Sequence, residues 1–350
     1  MLLRLLAIGT LFLASPAMSQ NGRIDTHLHA LPQAYIDAVV TNGGDPSGFP
    51  TPSWSIDAAV ASMDSLNISI GILSVSTPGV PIAGTGKTAR RLARTLNNEF
   101  AQYSTDTRYK SRIGFFGVLP DWQDVDGTLA EIDFLFKEQK LCSGVTVYTT
   151  YGEKLLGSRK FLPIWKKLQA YKALVFLHPG VLDVKPKFIG NGIPQPIIDY
   201  PLATTRAAVD LVVTGTVRAC PDVEIILSHA GGALPFLGSR AIGGLSIPAA
   251  AAKSSVTSAQ AFEDFGRFFF DIALSTSPAQ LNGLLDFTKP EKVLFGSDFP
   301  YAPAPAIAGV VAGYDNFVQG NARGGFIAPE ILRGNALSLL SKHAQKQRFY

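Results

Sequence analysis

The stretch Ile24-Asp25-Thr26-His27-Leu28-His29 is a short strand-like run that ends in a His-x-His pair. Alternate residues of an extended segment point to the same side, so His27 and His29 could hold one ion together. A single histidine after a strand is more often a hydrogen-bonded core or turn residue, whereas a pair with this spacing favours a metal site. The stretch therefore predicts both a first strand and one part of a metal site.

Three further apolar runs end in residues with the same ligand chemistry. They are Leu174–His178, Ile225–His229 and Val293–Asp298. Imidazole nitrogen and carboxylate oxygen are ligands that borderline divalent ions such as zinc prefer. If these runs were neighbouring strands, four imidazoles and one carboxylate would converge, which predicts a metal-centred active site. The fifth histidine, His343, lies in a polar tail and is predicted to be a solvated surface residue.

Eight short β-prone runs predict the architecture. They are Arg23–His27, Ser69–Val75, Arg112–Val118, Gly144–Tyr148, Leu174–His178, Glu224–His229, Phe268–Ile272 and Lys292–Gly296. Their apolar stretches are nearly continuous, which is typical of parallel strands covered on both faces. Helix-like segments lie between several of them, so the sequence predicts an α/β fold, a (β/α)8 TIM barrel. The carboxyl ends of its strands would bring the candidate ligands to one mouth, together with two Gly-, Pro- and Ala-rich loops, 179–201 and 231–263.

Length and composition favour a single catalytic domain over residues 20–350. The chain has 350 residues, 47% of them hydrophobic, and a net charge of +4 that is spread along it. Its densest basic cluster, Lys87–Arg94, has the spacing of a solvated helix face, so nucleic-acid binding is not expected. Cys142 and Cys220 precede their strands, far from the metal site, and are expected to remain thiols that do not bind it. A disulfide between them, in an oxidising compartment, is the alternative.

Residues 1–19 have the plan of a secretory signal peptide. Arg4 precedes the apolar run Leu5–Ala14, and Ala17-Met18-Ser19 offers small residues for cleavage before Gln20. The run is too short to span a bilayer comfortably, and no later segment is a candidate span. We therefore expect a protein that enters the secretory pathway or is secreted. The alternative is an uncleaved leader on an endomembrane-associated or cytosolic enzyme.

The strand ends resemble the motifs of the amidohydrolase superfamily. The matching segments are Asp25–His29, Phe176–Pro179, Ser228–Pro235 and Phe295–Pro300. In combination they are most similar to the metal-dependent non-oxidative decarboxylases, the branch that includes aminocarboxymuconate-semialdehyde decarboxylase and the fungal 6-methylsalicylate decarboxylases. The resemblance covers essentially the whole chain after the leader. It implies that His27, His29, His178 and Asp298 bind a metal, zinc or alternatively manganese, and that His229 is the acid/base that handles the proton.

The resemblance also implies substrate contacts. Arg240 matches a family arginine that binds a substrate carboxylate, sometimes across a dimer interface, so a homodimer is expected. Trp54 matches a family tryptophan, but the arginine that precedes it in the semialdehyde decarboxylase has no counterpart between Leu31 and Trp54. This difference favours an aromatic monocarboxylate such as a salicylate over a dicarboxylate. Flat walls for its ring are expected from Trp54, Phe236, Phe299 and Tyr301, each of which is equally compatible with a core position.

The expected reaction is loss of carbon dioxide from an aryl carboxylate, with 6-methylsalicylate giving 3-methylphenol. The metal residues alone are also compatible with hydrolysis of an amide, ester or lactone, in which Asp298 or His229 would accept a proton from water. A secreted metal-binding barrel without activity is a third interpretation. It is disfavoured because every expected ligand and His229 are present.

Overall fold

The computed structural model describes residues 21–109 and 111–343. Its main sheet has eight strands in sequence order, and each is parallel to the next. They are β1 (Arg23–His29), β2 (Ile68–Ser74), β3 (Ile113–Gly117), β4 (Gly144–Tyr148), β5 (Leu174–His178), β6 (Glu224–Leu227), β7 (Phe269–Asp271) and β8 (Val293–Leu294). A bridge from Asp25 to Phe295 returns the end of the sheet to β1. The predicted TIM barrel is confirmed, whereas the predicted signal peptide, residues 1–19, lies outside the described residues.

Helices separate the strands and surround the barrel. They are α1 (Gln33–Thr41), α2 (Ile56–Ser65), α3 (Lys87–Thr105), α4 (Val125–Asp133), α5 (Leu162–Ala170), α6 (Asp199–Val213), α7 (Thr216–Ala219), α8 (Leu234–Gly244), α9 (Pro248–Ala251), α10 (Ser258–Phe265), α11 (Pro278–Phe287), α12 (Ala304–Gly320) and α13 (Pro329–His343). A π-helical turn, Phe134–Gln139, continues α4, and a small hairpin pairs Thr150–Tyr151 with Lys154–Leu155. None of the described helices combines the length and apolarity needed to cross a membrane.

The basic cluster Lys87–Arg94 begins α3 and faces an acidic neighbour. The buried side chains of α3 recur every three or four residues and include Ala89, Ala93, Leu96 and Phe100. On the outer side, Arg90 pairs with Asp124 at 2.6 Å, and Arg94 pairs with Glu131 at 2.9 Å. The cluster is thus a helix face that pairs with α4.

Segment 231–263 differs from the predicted loop because it is largely helical. It contains α8 and α9 and the beginning of α10. Pro235 and Pro248 lie in the first turns of α8 and α9, where a proline has no intrahelical hydrogen bond to lose and favours the start of a helix. The prolines that suggest a loop in the sequence therefore begin helices in the structure.

The inside of the barrel is filled by one apolar cluster near the amino ends of the strands. Its strand members are Ile24, Ile70, Ile72, Phe116, Leu174, Phe176, Ile226, Phe269 and Leu294. Helix α13 adds Ala336, Leu339 and Leu340 to the same cluster and so covers this end of the barrel. Because that end is closed, polar side chains at the opposite, carboxyl end form the accessible mouth.

The prediction that His343 is a solvated surface residue is wrong. Helix α13 continues through His343, and the side chain is buried against the starts of β5 and β6, with 6% of the residue exposed. Its Nδ1 lies 2.6 Å from the Lys172 carbonyl oxygen and its Nε2 2.6 Å from Glu224 Oε2. Burial opposes ionisation of Glu224, but hydrogen bonds from His343 and Lys342 lower its pKa to about 2. His343 therefore fastens the last helix to the barrel.

Candidate metal centre and active site

Four of the predicted ligands meet at the carboxyl end of the barrel. One donor atom from each of His27, His29, His178 and Asp298 lies within 4.8 Å of the others, and all four residues are buried. The Nε2 atoms of His27 and His29 are 3.0 Å apart. Asp298 Oδ1 lies 3.4 Å from His27 Nε2 and 3.1 Å from His29 Nε2. Among the described residues, the ends of β1 and β5 and the segment after β8 thus build one ligand set.

The other ring nitrogen of each ligand histidine has its own partner. His27 Nδ1 lies 3.1 Å from Asp271 Oδ2, and His29 Nδ1 lies 3.1 Å from Ser74 Oγ. His178 Nδ1 lies 3.0 Å from the Pro179 carbonyl oxygen. Such partners fix the ring orientation and tautomer of metal-binding histidines. All three rings are therefore held with Nε2 available to an ion.

Two aspartates outside the ligand set position it, and the sequence analysis missed both. Asp271 ends β7, and besides holding His27 it accepts a hydrogen bond from the His229 amide at 3.2 Å. Asp25 Oδ1 accepts hydrogen bonds from the amides of His27 at 2.9 Å and Ser297 at 3.2 Å, which ties β1 to the segment that carries Asp298. Asp298 was identified as a carboxylate at the end of a strand-like run, and the same pattern would also have identified Asp271.

The protonation states suit a divalent cation. Burial lowers the pKa values of His29 and His178, which keeps these imidazoles neutral. Burial opposes ionisation of Asp298, but His27 and the hydrogen bonds of the site hold its pKa well below the usual range. Burial also opposes a charge on His27, but Asp271 and Asp298 raise its pKa to about 10. An ion bound here would replace that proton, and the donor set of neutral imidazoles and one carboxylate fits it.

His229 lies beside the ligand set without belonging to it. It follows β6 in a short 3-10 turn, His229–Gly231, in which His229 itself has φ 55°. Its Nδ1 lies 3.1 Å from the Ala273 carbonyl oxygen, and its ring centroid is 4.8 Å from that of His27. Burial and the nearby His27 lower the pKa of His229, which favours the neutral ring. With Nδ1 donating to Ala273, Nε2 is left for a substrate.

The turn after His229 requires glycine. Gly232 has φ 65°, and a Cβ atom there would lie 1.8 Å from the carbonyl oxygen of Pro201. Any side chain at this position would displace α6, because the clash is with backbone rather than with a movable side chain. The Gly231-Gly232 pair thus lets the chain turn sharply enough to leave His229 at the mouth.

A cavity of about 410 Å³ opens onto the ligand set and His229. Its lining residues include His178, His229, Asp298, Asp45, Phe49, Thr77, Pro196, Ile197, Tyr200, Leu274, Gln280, Tyr301 and Ala306. Of the expected aromatic walls, Tyr301 lines this cavity, with its ring centroid 5.4 Å from that of His29. Phe49 lies next to Tyr301, at 5.9 Å between centroids, and was not foreseen.

The structure does not bring the other expected substrate contacts to this cavity. Trp54 packs against Tyr103 of α3 at 5.9 Å between ring centroids. Phe236 is 62% exposed on α8, and Phe299 packs at the edge of the core while its carbonyl oxygen accepts a hydrogen bond from the His29 amide.

Arg240 is exposed on α8 and lines a separate groove between α6 and α8. Arg240 therefore does not line the cavity of its own chain.

Comparison with known proteins places these residues in a wider context. A family model described as Amidohydrolase matches residues 24–339. A decarboxylase of Aspergillus niger is 37% identical, with 91% of this chain and 88% of that protein covered. A 6-methylsalicylic acid decarboxylase of Aspergillus aculeatus is 36% identical, with 91% and 96% covered. A crystal structure of 5-carboxyvanillate decarboxylase from Novosphingobium aromaticivorans, complexed with manganese, matches with a TM-score of 0.79 at 19% identity, covering 92% of this chain and 97% of that one. At that identity the last match shows the fold alone.

Proposed function

The chain belongs to the amidohydrolase family, and we propose that it is a metal-dependent non-oxidative decarboxylase of a salicylate-type aromatic acid. The substrate we propose is 6-methylsalicylate, which would give 3-methylphenol in polyketide secondary metabolism. The observation that carries the proposal is one small cavity that is lined by His229 together with His178 and Asp298, two members of the four-residue ligand set. Two relatives that are named as decarboxylases align over about nine-tenths of the chain, and this similarity supports the same reaction.

The cavity suits a single substituted ring. Its volume of about 410 Å³ is within the usual range for small-molecule sites, roughly 300–1,000 Å³. Phe49, Ile197 and Leu274 supply apolar surface for the ring. A divalent ion held by the four ligands would supply the positive charge that fixes a carboxylate and a neighbouring phenolic oxygen. We propose zinc, because three imidazoles and one carboxylate without a thiolate suit it, with manganese as the alternative.

His229 supplies the proton in this proposal. Loss of carbon dioxide from an aryl carboxylate requires a proton at the ring carbon that carries the carboxylate, which temporarily breaks the aromatic system. His229 Nε2 would take a proton from the substrate hydroxyl or from solvent and deliver it to that carbon. The bond to the carboxylate then breaks, its electron pair returns to the ring and carbon dioxide leaves. The hydrogen bond from His229 Nδ1 to the Ala273 carbonyl oxygen fixes the ring so that Nε2 remains available for this transfer.

A product assay tests the proposal. Metal-loaded protein incubated with 6-methylsalicylate should release carbon dioxide and 3-methylphenol in equal amounts, because the cavity presents a proton donor beside the ligand set. Esters, amides and lactones of similar size serve as the comparison, with acid release as the readout. Acid release from these compounds, without carbon dioxide from any hydroxybenzoate, would make the protein a hydrolase instead.

We further propose that the chain forms a homodimer. Arg240 is exposed on α8 and does not line the cavity of its own chain. Phe236 and Leu237 on the same helix are 62% and 41% exposed, an apolar surface that a second copy could cover. In the proposed dimer, Arg240 of one copy would lie towards the cavity of the other. Sedimentation equilibrium should give twice the mass of the chain, and a monomer at micromolar concentration would argue against the dimer.

We also propose that residues 1–19 are removed during export, so that the mature protein is in the secretory pathway or outside the cell. The support is the charge and apolar pattern of that segment. Amino-terminal sequencing of native protein should find a chain that begins at about Gln20. Recovery of intact Met1 from a cytosolic fraction would contradict both cleavage and export.

A further inference from the structure

The charges around the cavity are unevenly distributed. Among the described lining residues the carboxylates are Asp45 and Asp298, and no lysine or arginine belongs to the lining. Asp298 is part of the ligand set, which leaves Asp45 as a second carboxylate without a role in the proposed chemistry. It lies between α1 and α2, in the same loop as Phe49.

Asp45 is held in place by its own loop. Its Oδ1 accepts a hydrogen bond from the Ser47 amide at 2.8 Å. The Ser47 carbonyl oxygen in turn accepts one from the Gln195 amide at 3.1 Å, which joins this loop to the segment before α6. The Asp45 carboxylate is half-buried, and burial raises its pKa, although hydrogen bonds from Ser47 and the charge of the exposed Lys187 oppose this rise. The hydrogen bonds therefore hold the Asp45 carboxylate at the cavity wall.

Two tyrosines, Tyr200 and Tyr301, line the same cavity as Asp45. Burial first, and the Asp45 carboxylate next, raise the pKa values of Tyr200 and Tyr301, so both stay neutral hydroxyls. The Tyr200 hydroxyl is buried and forms no hydrogen bond with the described residues. The side chains of Ser47 and Thr77 are nevertheless close enough to lower its pKa. This part of the cavity thus offers a neutral donor beside the Asp45 carboxylate, and no lysine or arginine belongs to its lining.

We propose that Asp45 is a specificity-determining residue that restricts the cavity to aromatic acids with one carboxylate. The proposal rests on the proposed function, in which that carboxylate is bound at the ligand set. A second carboxylate on the ring would lose its hydration without meeting a lysine or arginine of the lining, and it would face the Asp45 carboxylate. A methyl group, or a neutral hydroxyl facing Tyr200, has no such penalty. Discrimination by an unfavourable contact of this kind is a common source of specificity.

Binding of matched ligand pairs tests the role of Asp45. The pairs are 2-methylbenzoate with phthalate and 3-methylbenzoate with isophthalate, which differ by one carboxylate and lack the phenolic oxygen needed for turnover. Calorimetry on metal-loaded protein should show tighter binding of each monocarboxylate. In Asp45→Asn at least one dicarboxylate should gain about 10- to 100-fold in affinity, while the monocarboxylates change less than about threefold. Asparagine keeps the side-chain oxygen that accepts the hydrogen bond from the Ser47 amide, so the loop should stay in place.

Two controls separate local charge from other effects. Asp183→Asn removes the same charge from an exposed residue that does not line this cavity, so the ratio of affinities should not change. Asp45→Glu keeps the charge and should keep the discrimination. An unchanged ratio in Asp45→Asn, or a parent protein that binds both members of each pair equally, would overturn the proposal. Turnover of 6-methylsalicylate is measured separately, so failure of the proposed function is distinguishable from failure of this inference.

Discussion

Replacing His229 with alanine should leave the metal and the fold in place and slow the chemical step by roughly two to four orders of magnitude. The reason is its position: His229 faces the cavity beside the ligand set but contributes no atom to it. The measurement is turnover of 6-methylsalicylate per bound metal ion.

The control for this variant is another buried histidine. His343→Ala removes the two contacts at 2.6 Å that fasten α13 to the barrel, so it should lower the melting temperature. Because His343 lies at the closed end of the barrel, turnover per folded molecule should stay close to that of the parent protein. Near-normal turnover of metal-loaded His229→Ala would remove His229 from the mechanism and leave it a structural residue.

The double variant His27→Ala with His178→Ala should reduce bound metal from about one ion per chain to almost none. It removes two of four donors from a buried site, and the remaining pair cannot close a coordination shell of the usual four ligands. Turnover should fall to background for the same reason. Elemental analysis of the purified protein gives the stoichiometry and also distinguishes zinc from manganese.

The matched control for the metal site is Cys142→Ala with Cys220→Ala. Both cysteines are buried and neither belongs to the ligand set, so metal content per folded chain should be unchanged. Unchanged metal content in the histidine double variant would show that the ion is bound elsewhere. Loss of metal in the cysteine double variant would mean that thiolates take part.

The barrel and the metal ligands could be read from the sequence because both depend on local patterns. Eight apolar runs predict eight strands, and the observed strands differ from them mainly at the ends. Glu224–Leu227 stops before His229, for example, because His229 and Ala230 both have positive φ in the turn that follows. His27 and His29 share a side through the two-residue period of a strand. Parallel strands in a closed barrel bring their carboxyl ends together whatever their separation in sequence, which predicts that His178, His229 and Asp298 meet there. The family resemblance implied that His229 is the acid/base rather than a fifth ligand.

The remainder of the site was decided by tertiary structure. Tyr200 and Asp45 both line the cavity, and neither residue lies in a strand whose two-residue period would reveal it. The family resemblance predicted Trp54 and Arg240 as substrate contacts, but Trp54 packs against Tyr103 and Arg240 lines a separate groove. His343 shows the same limit at the other end of the barrel. In a strand, the two-residue period decides which face each side chain lies on. In a loop or helix, the surroundings of a side chain are decided only when the segment packs against its neighbours.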